Sequence, residues 1–344
     1  MTRIALFGAG RMGRVHAQSI LTAGAEVTVV YDKLRDNAEK LALNHAATVA
    51  STPEEALSRQ DVDAVVIATP SDTHKDLIVN AVRAGKPVLC EKPLASSLAE
   101  TEDCIAAIGE KAARKVYLGF NRRRDRGHEA LCNAVHAGEI GQIEQLIITS
   151  RDPAPPPPDY ILHSGGIFRD MTIHDFDMAR SIVGEEFTRV TATGSCIVDP
   201  RIGELGDIDS ATVVLETQSG VLVTIINSRH SAFGFDQRIE AFGDRGMLIS
   251  DNPRQSGVRS FTSAHPGTPA PILEFFMERY GPSYTAEIKT FIECVNASED
   301  MPVNAIDGLM AVYLAEAATA SLEKRSSVNL ANGRFKNRGV DNES

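Results

Sequence analysis

The sequence has no tryptophan, and aromatic residues make up only 6% of its 344 positions. Stacking platforms for bases or sugar rings are therefore not expected as its main binding device, so polar groups would have to hold a ligand. Positive charge is also scarce, since 35 Lys and Arg stand against 46 Asp and Glu, for a formal net charge of -11. This balance disfavours nucleic acid and anionic membrane surfaces as partners.

Cysteine is sparse as well. The five cysteines stand far apart with no C-x-x-C pair, which is typical of reduced thiols and not of a disulfide framework. The N-terminus begins with a strand pattern instead of the basic leader and apolar segment of a secretion signal. No apolar run approaches the ~20 residues that a membrane helix needs. We therefore expect a cytoplasmic protein with no membrane partner.

Two secondary-structure patterns follow each other along the chain. Up to residue 120, short apolar runs alternate with helical stretches, which predicts a doubly wound parallel sheet of the Rossmann type. From about residue 140, strands follow one another directly, which predicts an α+β domain with a mostly antiparallel sheet. We place a nucleotide-binding domain at residues 1–120, a substrate and oligomerisation domain at 121–330 whose closing helix could pack back on the first, and a polar tail at 331–344.

A glycine-rich motif joins the first predicted strand to the first predicted helix. It reads Gly8-Ala9-Gly10-Arg11-Met12-Gly13, a G-x-G-x-x-G. Gly8 permits a tight turn, Gly10 lets the backbone approach a pyrophosphate, and Gly13 lets helix and strand pack closely. The helix N-terminus supplies N–H groups to the anion. We therefore expect a dinucleotide to be held by Gly8, Gly10, Arg11, Met12 and Gly13.

Asp32 stands at the end of the second predicted strand. A carboxylate at this place accepts hydrogen bonds from both ribose hydroxyls and repels a 2′-phosphate, which favours NAD over NADP. Lys33 and Arg35 follow closely, so NADP stays open as the less favoured cofactor. A helix N-cap role for Asp32 is compatible with either cofactor.

Two further strand ends carry polar motifs, and ligands of a doubly wound sheet lie at such ends. The motifs are Ala68-Thr69-Pro70 and Cys90-Glu91-Lys92-Pro93. We expect Thr69, Pro70, Glu91 and Lys92 to contact the cofactor. A lysine beside the nicotinamide can bind the reacting hydroxyl and stabilise negative charge on its oxygen. A surface ion pair of Glu91 with Lys92 is the alternative.

The densest polar cluster of the chain lies between residues 165 and 177. On a helix that starts near Asp170, the side chains of Asp170, His174 and Asp177 share one face. An imidazole there can take a proton from a hydroxyl, and a neighbouring carboxylate can orient the ring. No second histidine stands at metal-ligand spacing, so we predict no metal. A structural histidine and a helix-capping Asp170 are the alternatives.

Together, the motifs G-A-G-R-M-G, A-T-P, C-E-K-P, G-F-N-R-R-R-D and G-G-I-F-R-D-M-T-I-H-D-F-D resemble the Gfo/Idh/MocA family of NAD(P)-dependent oxidoreductases. The resemblance extends over roughly residues 3 to 325. The segments S-R-D-P-A-P-P-P-P and R-D-M-T-I-H-D-F-D are most similar to the members that oxidise inositols at C2. The resemblance implies a Rossmann domain followed by an open-faced sheet domain, and tetramers that assemble through that open face.

The resemblance also implies a reaction and a set of catalytic residues. Such members oxidise the axial hydroxyl of myo-inositol to the ketone of 2-keto-myo-inositol (scyllo-inosose) and form NADH. His174 would be the base, Lys92 would hold the reacting oxygen, and Asp170 would orient one of these two groups. The substrate hydroxyls are expected to meet polar side chains. These are Lys92, Asn121, Arg122, Asp152, Asp170, His174, Asp177 and Tyr284.

One segment departs from the pattern of the related dehydrogenases. At S-A-F-G-F-D they often carry a tyrosine where this chain has Phe233 or Phe235. Without that phenol, a substrate hydroxyl that it normally binds would be unpaired. Another inositol isomer or an aldose is therefore an alternative substrate. A non-catalytic NAD-binding regulator is the alternative from another functional class.

Overall fold

The computed structural model describes residues 1–330, which fold into two units. The first unit contains Met1–Asp125 and Tyr280–Val312, and the second contains Arg126–Arg279 and the described residues from Tyr313 onward. The sequence predicts a single boundary near residue 120, whereas each unit of the structure is built from two chain segments. The predicted polar tail at 331–344 lies outside the described residues.

The first unit contains a six-stranded sheet in which all neighbouring strands are parallel. Its order is β3-β2-β1-β4-β5-β6, so the direction of winding reverses between β1 and β4. The predicted doubly wound sheet is confirmed. The strands are β1 (Arg3–Phe7), β2 (Glu26–Tyr31), β3 (Thr48–Val49), β4 (Ala64–Ile67), β5 (Val88–Glu91) and β6 (Val116–Gly119).

Burial explains the strand sequences of this sheet. Every residue of β4 is fully buried, as are the last four residues of β1. Helices that cover both faces of a parallel sheet demand such continuous apolar strands, in place of the alternation typical of a one-sided sheet. These two central strands therefore provide a rigid base for the loops at their carboxyl ends.

Six helices belong to the N-terminal segment of the first unit. The helical stretch from Leu98 to Ala113 is interrupted at Gly109, whose φ of +80° takes it out of the helical region. The helices are α1 (Arg11–Thr22), α2 (Arg35–His45), α3 (Pro53–Leu57), α4 (His74–Arg83), α5 (Leu98–Ile108) and α6 (Glu110–Ala113).

The second unit contains a seven-stranded sheet of order β12-β11-β7-β10-β9-β8-β15. Its neighbouring strands are antiparallel except for the parallel pair of β7 and β10, so the mostly antiparallel prediction is confirmed. The strands are β7 (Ile143–Arg151), β8 (Phe187–Ser195), β9 (Ser210–Thr217), β10 (Leu222–Ser228), β11 (Asp236–Gly243), β12 (Gly246–Ser250) and β15 (Val328–Asn329). A separate hairpin contains β13 (Arg259–Phe261) and β14 (Pro266–Pro269).

One face of this sheet is covered by helices. Along β9, every second residue is buried and the residues between are partly exposed, which is the alternation of a sheet with one covered face. Apolar side chains of β7, β9 and β10 form a core with those of helix α9. The helices of this segment are α7 (Arg126–His136), α8 (Pro158–Ser164), α9 (Ile173–Val183) and α10 (Pro200–Glu204).

The helix expected to start near Asp170 begins at Ile173 instead, after a π-helical turn over Phe168–Thr172. The buried Thr172 hydroxyl donates to the carbonyl oxygen of Ile167 at 3.3 Å and to Oδ1 of Asn227 at 2.6 Å, which stabilises the wider turn. The prediction was wrong here because a π turn does not keep the i, i+4 spacing of an α-helix. Such turns are frequent at functional sites.

Two long helices follow, α11 (Phe276–Ala297) and α12 (Ala305–Lys324). The first contains Pro282 within its helical span. The second is long and apolar enough to cross a membrane by length and composition alone. Because 67% of its apolar stretch is buried inside the protein, it has the pattern of a core helix.

Candidate active site

The glycine turn after β1 packs directly against the end of β4. Gly8 has a φ of +97°, and a methyl group on it would lie 2.4 Å from the carbonyl oxygen of Ala68. A methyl group on Gly13 would lie 1.9 Å from the carbonyl oxygen of Gly8. At Gly10, by contrast, the described residues beyond its chain neighbours and its own helix backbone place no atom within 4 Å of the same position. The turn therefore closes tightly on the sheet and leaves open space at its middle glycine.

The N-terminus of α1 faces this turn. Its N-cap residue is Gly10, and no side chain caps this end of the helix. The first N–H groups of an α-helix lack intrahelical acceptors, so they are suited to a phosphate or pyrophosphate. Arg11, Met12 and Gly13 form the first turn, as the sequence predicted for a dinucleotide site.

Asp32 lies just past the end of β2 and is joined to the glycine turn. Its Oδ2 accepts a hydrogen bond from the Ala9 N–H at 2.7 Å, and its Oδ1 accepts one from the Leu34 N–H at 2.8 Å. The N-cap of α2 is Leu34 and not Asp32. A carboxylate oxygen can accept more than one hydrogen bond, so Asp32 can still bind ribose hydroxyls. The glycine turn, the uncapped helix and Asp32 thus fit a dinucleotide.

His74 connects the two loops that carry the A-T-P and E-K-P motifs. Its side chain is 1% exposed. Nδ1 lies 2.7 Å from the carbonyl oxygen of Pro93, and Nε2 lies 2.9 Å from the carbonyl oxygen of Thr69. The side chain of Thr69 also bonds the Thr73 hydroxyl at 2.7 Å. The sequence analysis did not predict a role for His74. Its place as the first residue of α4, just after A-T-P, could have indicated that it contacts these loops.

The carboxylate of Glu91 is fixed from two sides. Oε1 lies 2.7 Å from Nε2 of the fully buried His16 on α1, and Oε2 accepts the Lys92 N–H at 3.3 Å. The ring of Tyr284 meets the His16 ring edge-on, with 5.8 Å between centroids. Glu91 therefore links the helix of the glycine turn to the backbone of the proposed catalytic lysine.

A buried carboxyl group that the sequence did not indicate lies in the same unit. Glu287 is fully buried, and neither of its oxygens has a hydrogen-bond partner within residues 1–330. Burial raises its pKa well above the ordinary value, and the nearby charge of Glu91 adds to this rise. Burial thus favours the neutral form of the Glu287 carboxyl.

The predicted substrate residues of the first unit are mostly buried. Asn121 is 3% exposed, and its Nδ2 has no hydrogen-bond partner in the described part of the chain. The Arg122 guanidinium lies over the Tyr280 ring at 5.9 Å from the centroid. Tyr284 is 6% exposed, and burial raises the pKa of its phenol. Asn121 thus has an unused donor for a polar ligand.

In the second unit, Asp170 lies in the π turn and has partners on both oxygens. Oδ1 accepts a hydrogen bond from the Tyr160 hydroxyl at 2.7 Å, and Oδ2 accepts one from Nη1 of Arg229 at 3.1 Å. Nη2 of Arg229 donates to Oδ2 of Asp207 at 3.2 Å. The sequence did not indicate Tyr160, Arg229 or Asp207. Their contacts join separate segments of the chain, so no local sequence motif indicates these residues.

Two strands of the second sheet end, and a third begins, at one edge of the sheet next to Arg229. Arg151 of β7 stands opposite Ser228 of β10 and Asp236 of β11. The Asp152 N–H donates to the Ser228 carbonyl oxygen at 3.0 Å, so Asp152 and Arg229 follow neighbouring strand ends. Phe235 precedes β11 and is buried. Phe233, the other phenylalanine of the departing segment, is 58% exposed.

The acidic residues around His174 differ in their surroundings. His174 is the second residue of α9 and is partly exposed. Asp175 is fully buried and accepts hydrogen bonds from the Ser150 hydroxyl at 2.6 Å and the Asn227 amide at 2.7 Å, so it has a structural role. Asp177, predicted to bind substrate, is also fully buried. Asp170 and His174 are thus the partly exposed members of the predicted set on this segment.

The predicted residues are divided between the two units. Asp152, Asp170, His174 and Asp177 belong to the second. The remaining predicted residues belong to the first, namely Gly8, Gly10, Arg11, Met12, Gly13, Asp32, Thr69, Pro70, Glu91, Lys92, Asn121, Arg122 and Tyr284.

The parallel sheet, the glycine turn at its point of reversal and the acid after β2 define a dinucleotide-binding protein of the Rossmann class. The chain belongs to the Gfo/Idh/MocA oxidoreductases. The family model described as "Oxidoreductase family, NAD-binding Rossmann fold" matches residues 2–120, and the "GFO/IDH/MocA C-terminal domain" matches residues 128–249. The predicted family and its cofactor NAD are confirmed.

Full-length relatives share both units. The chain is 46% identical over 335 residues to the myo-inositol 2-dehydrogenase of Thermotoga maritima, covering 95% of this chain and 98% of the relative. A solved structure of a myo-inositol dehydrogenase from Corynebacterium glutamicum is 45% identical, with a TM-score of 0.92 and coverage of 96% and 99%. The scyllo-inositol dehydrogenase of Lactobacillus casei, solved with NAD(H) and scyllo-inositol, is 27% identical, with a TM-score of 0.88 and coverage of 96% and 99%.

Proposed function

We propose that this protein oxidises myo-inositol at C2 to 2-keto-myo-inositol, with NAD as the acceptor. The observation that carries the proposal is the 46% identity, over 95% of the chain, to a myo-inositol 2-dehydrogenase. The polar side chains beside the NAD-binding motifs and around Asp170 suit a neutral, multiply hydroxylated substrate, since such a ligand must be held by several hydrogen bonds.

In this proposal the proton and the reacting oxygen are handled by separate side chains. Bound NAD supplies the hydride acceptor. His174 removes the hydroxyl proton, and Lys92 donates a hydrogen bond to the same oxygen and stabilises its growing negative charge. Asp170 orients Lys92 or His174. The carboxylate of Asp170 is already held by Tyr160 and Arg229, which supports an orienting role.

The surroundings of Lys92 support a role that needs fixed geometry. Its backbone N–H is bonded to Glu91, whose carboxylate is held in turn by the buried His16. The carbonyl oxygen of the next residue, Pro93, is held by the buried His74. Groups that are fixed before the substrate arrives need little reorganisation during the reaction.

Other polar residues are proposed to bind the remaining hydroxyls of the substrate. Asn121 and Arg122 in the first unit, and Asp152 and Asp177 in the second, supply donors and acceptors, with Tyr284 as a further candidate. The unused Nδ2 donor of Asn121 supports this role. Phe233 and Phe235 stand where related dehydrogenases often carry a tyrosine, so isomer preference is the property in which this protein should differ from them.

A polyol panel tests the proposal. Purified protein with NAD is followed at the NADH absorbance with myo-inositol, scyllo-inositol, chiro-inositol and glucose. We expect the highest kcat/KM with myo-inositol. A higher value with another compound would reassign the substrate within the same chemistry. Folded protein that binds NAD but forms no NADH from any of them would contradict a dehydrogenase and favour a regulator.

The cytoplasmic location and the homotetramer stay predictions. The tetramer is expected to form through the uncovered face of the second sheet. Light scattering on the purified protein measures the assembly mass, which should be four times the 37.1 kDa of one chain.

A further inference from the structure

A buried arginine lies behind Asp170 in the second unit. Arg229 directly follows β10, and its side chain is only 1% exposed. One nitrogen of its guanidinium contacts Asp170 at 3.1 Å and another contacts Asp207 at 3.2 Å. A single buried cation therefore joins two carboxylates, one of which belongs to the proposed catalytic set.

Both ends of this arginine are anchored. Its backbone N–H donates to the Asp209 carbonyl oxygen at 2.8 Å. At the other end, Oδ1 of Asp207 accepts the Ile167 N–H at 3.0 Å, just before the π turn. A methyl group on Gly166 would lie 3.2 Å from this same oxygen, so the backbone there packs closely on Asp207. The guanidinium thus has little freedom to move.

The two oxygens of Asp170 are held with unequal firmness. Its Oδ1 partner, Tyr160, lies on the short helix α8 and is 46% exposed, whereas its Oδ2 partner, Arg229, is buried. A charge-assisted hydrogen bond from a buried guanidinium is stronger and more directional than one from an exposed phenol. The orientation of the Asp170 carboxylate is therefore set mainly from the Arg229 side.

Electrostatics points in the same direction. A buried guanidinium is costly unless it is paired, and removing it would take a buried cation away from Asp170 and Asp207. The arginine therefore fixes the direction of the carboxylate that lies one turn before His174.

We propose that Arg229, anchored by Asp207, is a positioning residue for the reaction and acts through Asp170. The inference rests on the proposed dehydrogenase function. It adds a structural requirement beyond the motif residues. The reaction also needs a buried ion network next to Asp170, which joins the end of β10 to the start of the π turn.

Three variants test this role: Arg229→Met, Arg229→Lys and Asp207→Asn. We expect Arg229→Met to lower kcat for myo-inositol about a hundredfold, the order of loss that follows a small misplacement of a catalytic group. Lysine keeps the charge but lacks the planar fork, so Arg229→Lys should recover part of the loss. Asp207→Asn keeps an acceptor for the Ile167 N–H and should cost about tenfold. The KM for NAD should stay unchanged in all three.

A primary deuterium isotope effect separates positioning from general damage. With myo-inositol deuterated at C2, each slow variant should show a larger isotope effect on kcat than the wild type, because the chemical step has become limiting. Arg189→Met is the matched control: it removes an ion pair with Glu216 in the same unit, but the arginine side chain is 47% exposed. We expect its kcat and isotope effect to equal those of the wild type.

Melting curves and NAD binding establish which variants are folded. Should Arg229→Met not fold, Arg229→Lys and Asp207→Asn carry the test. Folded variants with wild-type kcat would overturn the proposal. A crystal structure of Arg229→Lys adds a readout that needs no activity: the Asp170 carboxylate should be rotated or disordered, and an unchanged Asp170 would equally overturn it. A wild type inactive on every polyol would instead count against the proposed function.

Discussion

The two units differ in the groups that form their functional sites. In the first unit the cofactor motif is mainly backbone: a glycine turn and a helix end that no side chain caps. In the second unit the candidate residues are side chains held by other side chains, as Asp170 is held by Tyr160 and Arg229. Steric changes should therefore damage the first motif, and changes of charge should damage the second cluster.

The largest expected effect concerns His174, and it sharpens this comparison. His174→Asn removes the proposed base while keeping a polar side chain, so turnover should fall about a thousandfold. NAD affinity, measured by the fluorescence of bound NADH, should be nearly unchanged because the dinucleotide motif belongs to the first unit. A comparable loss of NADH binding would contradict the division of roles. Wild-type turnover would remove His174 from the mechanism.

Lys92 is an exception to the contrast between a backbone motif in the first unit and side chains in the second, because it is a proposed catalytic side chain that belongs to the first unit. Lys92→Ala should lower kcat about a hundredfold or more, because the reacting oxygen loses its stabilising donor. Cofactor affinity should again be nearly kept. The measurements are steady-state kcat and NADH binding, with Lys33→Ala as the matched control. A non-catalytic regulator would bind NAD and be indifferent to the loss of Lys92.

A single added methyl group tests whether the glycine turn of the first unit binds NAD through its backbone. In Gly13→Ala the new carbon would meet the Gly8 carbonyl oxygen at 1.9 Å, so the turn must shift. We expect NAD affinity to fall at least about tenfold, since the pyrophosphate contacts depend on that turn. Gly257→Ala is the control, because no atom lies within 4 Å of its added methyl group. Equal NAD affinity of the two variants would show that the turn tolerates the strain.

The cofactor preference should depend on one side chain of the first unit. Asp32→Ala removes the acceptor for ribose hydroxyls and the charge that repels a 2′-phosphate, so the ratio of kcat/KM for NAD over NADP should fall about tenfold. Asp36→Ala, a nearby charge change in the first turn of α2, serves as control. An unchanged ratio in Asp32→Ala would refute the role.

The smallest expected effect is on stability. The pKa of Glu287 is raised by burial, and a raised folded-state pKa contributes stability that is present below the unfolded pKa and is lost as pH rises through the folded pKa. Wild-type Tm should therefore fall at alkaline pH more than that of Glu287→Gln, with the variant about 2–4 °C more stable at pH 8.5.

Glu185→Gln is the control for this stability effect. Hydrogen bonds from Ser219 lower the pKa of Glu185, so its contribution is present above the ordinary carboxyl range and is lost as pH falls. The Tm of Glu185→Gln should therefore fall at alkaline pH as much as that of the wild type. Parallel pH dependence of Tm for the wild type and Glu287→Gln from pH 6 to pH 8.5 would show that Glu287 binds the same number of protons in the folded and unfolded protein, which would contradict a raised pKa.

The fold and the nucleotide motif were predictable because their signals are local. Buried parallel strands form continuous apolar runs, and the glycine spacing lies within one turn, so β1, Gly8 and α1 could be placed from neighbouring residues. The cluster around Asp170 was predictable only in part. Arg229 lies 59 residues from Asp170, and no periodicity indicates that they meet.

Two further features show where local reasoning fails. His16 and Glu91 lie 75 residues apart, and their contact depends on how α1 packs near the end of β5. The start of α9 was misplaced because a buried Thr172 hydroxyl stabilises a π turn through a hydrogen bond to the distant Asn227. Both features follow from tertiary packing, which a single sequence does not reveal.

The return of the chain to the first unit has a consequence during synthesis on the ribosome. The outer edge of β6 is completed by residues made after the first segment of the second unit: Leu118 donates to the Val303 carbonyl oxygen at 3.1 Å, and Tyr117 packs its ring on Phe291. Until those residues emerge, the nascent first unit exposes an unpaired strand edge and part of its core. Translation therefore includes an interval in which this edge is open to aggregation, and chaperones that bind nascent chains would act on it.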